Sequence, residues 1–320
     1  MAREYSEDDV RIRPSRRTRP RTKDRPDYSD AIRGRVIAVD RGRTTCALDD
    51  GTIVTAMKAR ELGQKSVVVG DIAQIVGDLS GKQDTLARIV GVDERENVLT
   101  RTVDDGAQFE RMIVSNVDQM AIVIAAADPE PRHGFVDRAL VVAFDQGIDP
   151  IIIVTKCDLG DPQEFLIPYN SLHVQTIQTK RGEDLTKIED VLKNKRTVFI
   201  GHSGVGKSTL FNALAGEELR DTGDVNDVTG RGRHTSSSSY AFSIAPNTWI
   251  IDTPGVRSFG LAHVERNRVV GAFPEFAEAI EHCPRNCSHD EENCALNHWE
   301  LSDDSRERLK NLRNLLNERE

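Results

Sequence analysis

Residues 201–209 read Gly201-His202-Ser203-Gly204-Val205-Gly206-Lys207-Ser208-Thr209, the G-x-x-x-x-G-K-[S/T] spacing of a phosphate-binding loop. The chemistry this spacing supports is anion capture. Its glycines let successive backbone N–H groups curl around a phosphate, at the positive end of the helix that follows. Lys207 would reach the β- and γ-phosphate oxygens of a nucleotide, and the Ser208 hydroxyl would bind Mg²⁺. Downstream, the apolar run 248–251 ends in Asp252-Thr253-Pro254-Gly255. An Asp at the end of a buried strand beside such a loop holds Mg²⁺, and the Gly255 N–H can then sense a γ-phosphate. Between the two motifs, residues 217–240 have no apolar period and carry Gly223, Gly230, Gly232 and four serines in a row. A linker is one reading. The position favours a switch that orders only with γ-phosphate and Mg²⁺ present, Thr235 supplying the hydroxyl for that ordering.

The phosphate loop does not choose between ATP and GTP. That choice falls to Thr155-Lys156-Cys157-Asp158, directly after the apolar run 151–154. The segment resembles the N-K-x-D guanine motif of translation-factor-type GTPases. There the Asp carboxylate accepts from guanine N1–H and N2–H₂, a pair adenine cannot offer, and a missing buried pairing gives large discrimination. Asp158 would carry that contact, with the Lys156 stem along the base plane and Cys157 at the variable position. Thr155 stands where the motif has Asn. An ATPase or kinase is the alternative, disfavoured by Asp158 and by the absence of a motif for a phosphoryl acceptor. In ordinary GTPases the guanine motif follows D-x-x-G; here it precedes the phosphate loop. The order implies circular permutation, with 185–193 as the former terminal helix joined through 194–196 to the former first strand.

Cys283, Cys287, His289 and Cys294 form C-x3-C-x-H-x4-C. Three sulfurs and an imidazole suit one tetrahedral, structural Zn²⁺, able to fold a small module with little core. Reduced surface cysteines near a stray histidine are the alternative, and His282 and His298 are rival ligands. With Cys46 and Cys157 the chain has five cysteines, an odd number that does not read as a disulfide framework.

These residues need elements to hold them. Runs at 35–39, 44–48, 52–56, 72–76 and 86–92 are β-branched or apolar, and Asp50-Gly51 marks a hairpin. Five short strands in so little chain predict a small closed barrel, with an OB fold the natural candidate. Beyond Arg101, continuous apolar strands at 119–126, 150–155 and 197–200 alternate with helical patterns at 134–146, 185–193 and 208–215. That alternation predicts a doubly wound α/β domain. Past Val264 the chain turns helical and polar, and 305–320 reads as a charged helix with Leu309, Leu312, Leu315 and Leu316 on one face.

The chain has 320 residues, 38% hydrophobic and 30% charged, with net charge −9. Its apolar runs are too short to cross a bilayer, and the amino terminus lacks the apolar core of a secretory signal, so cytoplasmic residence without a membrane is expected. Arg11, Arg13, Arg16, Arg17, Arg19, Arg21, Lys23 and Arg25 face one acid, Asp24. This stretch reads equally as a solubilising tail or as an arm for nucleic-acid phosphates.

Together these parts resemble the ribosome small-subunit-dependent GTPase family of the RsgA type. The likeness covers Arg33 to the end and includes Asn116-Val117-Asp118-Gln119, Val136-Asp137-Arg138, Gly201–Thr209, Gly230-Arg231-Gly232-Arg233-His234-Thr235 and Asp252-Thr253-Pro254-Gly255. It implies a disordered basic arm at 1–32, an RNA-binding OB barrel at 33–100, a permuted GTPase domain at 101–264 and a zinc-binding helical domain at 265–320. It also implies hydrolysis of GTP to GDP in late maturation of the small ribosomal subunit. That subunit would stimulate the reaction and offer its rRNA, and proteins, to a monomer. Family GTPases replace the usual water-orienting glutamine by an apolar residue, which Val256 fits. His234 then resembles the family's catalytic histidine and would orient the attacking water; without the resemblance it reads as a solvated switch residue. Lys207 and Thr235 complete the catalytic set, and Ser208, Thr235 and Asp252 the Mg²⁺ ligands. This sequence departs from the family at Thr155, near Gln178-Thr179 where a base-contacting Ser-Ala loop is usual, and in the zinc spacing. Counting back from Cys287 places His282 where the first ligand cysteine would fall.

Overall fold

The computed structural model describes residues 28–40, 42–62, 67–102, 110–216, 239–253, 259, 261 and 264–317. The first 27 residues of the basic arm, Gly230 to Thr235 with His234, and Pro254, Gly255 and Val256 lie outside the described residues.

Strands β1 (Ile32–Asp40), β2 (Arg43–Leu48), β3 (Ile53–Lys58), β4 (Ile72–Gly77) and β5 (Ala87–Val92) follow the five predicted runs closely. They pair in the order β1-β2-β3-β5-β4, and β4 returns antiparallel to β1, closing the barrel. Alternation sends Val36, Cys46, Val54, Ala73, Ile75 and Ile89 inside, all nearly inaccessible. Burial pushes the Cys46 thiol up to about 12, so it acts as a small core hydrophobe. A hairpin then follows, β6 (Val98–Thr102) with β7 (Glu110–Ser115).

The α/β part carries β8 (Gln119–Ala125), α1 (His133–Asp145), β9 (Asp149–Thr155), the short α2 (Gln163–Leu166), β10 (Gln175–Gln178) and α3 (Thr186–Leu192). It continues with β11 (Arg196–Ile200), α4 (Lys207–Ala215), β12 (Tyr240–Ala245) and β13 (Thr248–Asp252). The strand order is β10-β9-β8-β11-β13-β12, parallel except for β12. Every residue of β8 is buried, as a parallel strand covered on both faces demands.

Two features lay beyond the sequence reading. β12 forms in a run that the sequence reading assigned to no element, just past the proposed switch, and it pairs antiparallel with β1 through Ala38 and Tyr240. That pairing makes barrel and α/β sheet one eleven-stranded sheet. The barrel precedes the base-reading segment in the chain, yet it joins the sheet at the edge farthest from β10.

After β13 come α5 (Arg266–Gly271), α6 (Ala277–Glu281) and the terminal α7 (Asp303–Asn317). Leu309, Leu312, Leu315 and Leu316 of α7 are buried as their spacing predicts, and so is Arg308. No helix among the described residues is long and apolar enough to cross a membrane.

Candidate nucleotide site and metal cluster

The two halves of the α/β sheet meet where β11 lies beside β8. Chain direction diverges at that point, β8 leading outward to β9 and β11 to β13, so a crevice opens at the carboxyl ends of the strands. The phosphate loop occupies it. A Cβ on Gly201 would fall 2.7 Å from the Val123 carbonyl of β8, so the loop can leave the sheet only with glycine there. Gly204 and Gly206 have φ of +87° and +88°, the left-handed conformation that turns the backbone N–H groups inward. Gly206 caps α4, which starts at Lys207 and presents its N-terminus to the crevice. Val205 is buried, while Ser203, Gly204, Ser208 and Thr209 are exposed at the loop surface. The ring of His202 packs on Phe135 of α1 at 4.4 Å between centroids.

Lys207, nearly buried, forms an ion pair with Asp252 at the end of β13. The lysine that the sequence reading expects on phosphate oxygens and the aspartate it expects on Mg²⁺ therefore lie side by side. Thr253, unremarked in the sequence beyond its place in the motif, is buried and donates its hydroxyl to the Phe199 carbonyl at 2.9 Å. This bond ties the end of β13 to β11.

The base-reading segment begins where β9 ends. Thr155 is buried, and its hydroxyl lies 2.5 Å from the Val205 carbonyl of the phosphate loop and 3.1 Å from the Ile124 carbonyl of β8. The hydroxyl has one hydrogen to share between these two acceptors. Thr155 thus latches the base-reading loop to the phosphate loop, a role the sequence reading did not foresee for it. Lys156 adopts a left-handed backbone, φ +55°, and its ammonium bonds the Asp128 carbonyl. The Cys157 N–H donates to the Thr179 carbonyl at 3.3 Å, so Thr179 buttresses the loop from behind. Burial raises the Cys157 thiol above its ordinary value. Asp158, three positions past the end of β9, is exposed.

The motif residues Asn116 to Gln119 prove to be a clamp. Asn116 accepts from the Glu96 N–H at 2.8 Å and donates to the Gly70 carbonyl at 3.0 Å. Asp118 accepts from the Arg196 backbone and guanidinium at 2.6–2.8 Å, and Gln119 accepts from the Thr197 hydroxyl at 3.0 Å. Asn116 thus ties this segment to the barrel side, while Asp118 and Gln119 fix the start of β11, the strand that carries the phosphate loop.

Cys283, Cys287, His289 and Cys294 bring one ligand atom each within 4.8 Å of one another. Cys283 Sγ is 3.7 Å from His289 Nδ1 and 3.8 Å from Cys294 Sγ. Sulfurs at about 2.3 Å from one tetrahedral Zn²⁺ stand roughly 3.8 Å apart, so the donor set fits that ion. Burial lowers the His289 pKa, which favours the neutral ligand form. His282 lies outside the cluster and stacks on Trp299 at 6.0 Å.

The chain matches the family model described as RsgA GTPase over residues 92–262. The small ribosomal subunit biogenesis GTPase RsgA of Hahella chejuensis is 34% identical over 302 residues, 89% of this chain and 86% of that one. The protein of that name from Klebsiella pneumoniae is 32% identical over 294 residues, 86% of this chain and 82% of its own. Among solved structures, YjeQ from Thermotoga maritima superposes with a TM-score of 0.64 at 23% identity, covering 90% of this chain and 98% of that one. YloQ, described as a circularly permuted GTPase, gives 0.63 at 22% identity, covering 92% and 98%. At such identities the structural likeness speaks for the fold.

Proposed function

The chain belongs to the RsgA GTPase family, and on that premise we propose that it binds the small ribosomal subunit and hydrolyses GTP to GDP and phosphate late in that subunit's maturation, stimulated by the subunit. The observation that carries the nucleotide reading is the Thr155 latch, which brings the guanine-type loop and the phosphate loop to one crevice. Asp158 then reads the base, while the backbone of Gly201 to Thr209 and Lys207 hold the phosphates. Ser208, Thr235 and Asp252 would hold Mg²⁺, which when bound neutralises charge on the β- and γ-phosphate oxygens. Gly255 senses the γ-phosphate, and His234 orients the attacking water where Val256 cannot. Cys283, Cys287, His289 and Cys294 hold a structural Zn²⁺.

In this reading residues 33–100 form the rRNA-touching barrel, 101–264 the GTPase domain and 265–320 the zinc module, the protein working as a cytoplasmic monomer. The deciding measurement is the GTP hydrolysis rate of the full chain with purified small subunits, large subunits and neither. Acceleration by small subunits alone is expected; equal rates in all three arms would remove the ribosomal assignment. Equal affinity for GTP and ATP would remove the role of Asp158.

A further inference from the structure

Helix α1 meets three parts of the molecule within its first two turns. Phe135 supports His202 of the phosphate loop. Asp137, almost fully buried, faces α7: Asn311 Nδ2 donates to its Oδ2 at 2.9 Å, and Arg308 Nη1 lies 3.3 Å from its Oδ1. Arg138 donates to the Phe259 carbonyl at 3.2 Å, a short way past the Asp252 motif. The far end of α7 touches the metal cluster, where Arg313 Nε donates to the His289 carbonyl at 2.8 Å.

Arg308 is the centre of this arrangement. It is wholly buried, its guanidinium lying between the rings of Tyr169 and Phe273 at 5.0 and 4.8 Å, with Nε 2.6 Å from Glu275. Yet Arg308 Nε and Nη1, Asp137 Oδ1 and the Glu275 oxygens lack an aligned hydrogen bond. Taking such charges out of water costs several kcal/mol per ion, and apolar side chains of similar volume often pack at least as stably. Adhesion alone is therefore a poor reason for an arginine here. A charged pair selects one register between α1 and α7 and, being incompletely hydrogen-bonded, can still give within it.

We propose that Arg308 is a positioning residue for the phosphate loop: through Asp137 it sets α1, and through Phe135 and His202 α1 sets the loop that holds the phosphates. The terminal helix and the bound nucleotide then influence one another although, among the described residues, no hydrogen bond joins α7 to the phosphate loop. The proposal rests on the phosphate loop binding GTP and GDP. Reciprocity follows, because whatever shifts α7 must change nucleotide affinity by the factor by which nucleotide shifts α7.

The test follows release of a fluorescent GDP analogue, with Mg²⁺, from the full chain and its variants, with a urea midpoint for each. Arg308→Met is expected to speed release roughly three- to thirtyfold, the range for contacts that relay coupling without touching ligand. Asn311→Ala removes one amide bond at a half-buried position and folds more safely; it should speed release in the same direction by less. Phe135→Leu should act alike, and Phe135→Leu with Arg308→Met should exceed neither single change by much. The preference for GTP over ATP should stay put, since the base-reading loop is untouched. A merely structural role would shift the urea midpoint and leave release alone. Unchanged release in folded Asn311→Ala, or fully additive effects in the double variant, would overturn the proposal. Failure of the wild-type chain to bind the analogue would overturn the nucleotide reading itself, and this inference with it.

Discussion

The two joints of the α/β domain each hold a buried aspartate beside an arginine, satisfied to opposite degrees. In one, both residues belong to the barrel segment and Ser115 reaches the aspartate from the α/β side, whereas at the terminal helix Asp137 and Arg308 face each other across the joint. At the barrel, Asp71 is fully buried and accepts four hydrogen bonds: Arg95 Nε at 2.7 Å, Arg95 Nη2 at 2.9 Å, the Ser115 hydroxyl at 2.6 Å and the Val68 N–H at 2.9 Å. A carboxylate has about four acceptor positions, and all are filled. At the terminal helix, Asp137 accepts a well-aligned bond from Asn311, with the Tyr169 hydroxyl beside it and an arginine at ion-pair distance, while its Oδ1 has no aligned donor. A saturated network has one low-energy arrangement, whereas a partly satisfied one has little to lose by rearranging. The barrel joint is therefore the fixed mount, and the α7 joint is the one through which the proposed coupling to nucleotide would run.

The largest effects should come from breaking the saturated joint. Asp71→Ala strands Arg95, Ser115 and the Val68 N–H, and should cost about 3–5 kcal/mol, read as a fall in the urea midpoint. Gly70→Ala attacks the same place through backbone: its φ is +94°, and a Cβ would sit 1.9 Å from the Ser115 carbonyl oxygen. GDP release from the folded fraction should not change in either variant. Faster release would dissolve the contrast, because the mount would then be part of the coupling.

The next effect is a pH dependence confined to the other joint. Burial raises the Asp137 pKa to about 6 from an ordinary 3.8, with Arg308 and then Asn311 opposing. The unfolded chain releases this proton first, so between about pH 4 and pH 6 the folded state binds more protons. Stability from this group is therefore full below about pH 4 and falls as pH rises through 6, by up to about 3 kcal/mol. Asp137→Asn should lack that slope. Parallel stability curves for variant and wild type across the window would show that Asp137 ionises as freely as a surface carboxylate.

A third effect separates the joints by their distance from the metal cluster. If Cys283, Cys287, His289 and Cys294 hold Zn²⁺ as proposed, chelation should loosen the loop that holds Arg313, so amides of α7 should exchange at least about tenfold faster, on the order of 1.4 kcal/mol. Amides of β1 to β5 should keep their protection. Loss of protection in both would mean the two joints open as one unit.

Neither joint could be read from the sequence, although most of what surrounds them could. The phosphate loop is a local object, with chemistry and spacing inside nine residues, and the strands 119–125 and 149–155 announce themselves by continuous apolar runs. Arg308 sits in a helix with charges on most turns, where an arginine reads as solvated; its burial comes from segments distant in the chain, Asp137, Tyr169, Phe273 and Glu275. Asp71 and Asn116 are likewise polar residues whose burial is decided by distant segments. β10 is the polar run QTIQ with only Ile177 buried, so it carries no period. The pairing of β1 with β12 depends on where a barrel ends up, which no local pattern encodes. Thr155 shows the same limit inside a motif: its type reads as a defect in base recognition, while its place reveals a bond to the phosphate loop.

The smallest effect comes from a glycine that is the counterpart of Gly70. Gly134 lies in the first turn of α1, against Asn311, and a Cβ there would stand 3.4 Å from Asn311 Oδ1. That is ordinary contact, with a side-chain amide able to give. Alanine also raises helix propensity by up to about 1 kcal/mol over glycine, less in a first turn that lacks full intrahelical bonding. Gly134→Ala should therefore raise stability by a few tenths of a kcal/mol to about 1 kcal/mol, where Gly70→Ala lowers it severely. The two glycines differ in what waits for the added methyl group: a fixed backbone carbonyl at the barrel, a movable amide at α7. If Gly134→Ala instead destabilised as much as Gly70→Ala, α1 and α7 would be as tightly seated as the barrel, and the α7 joint would have no slack with which to answer nucleotide.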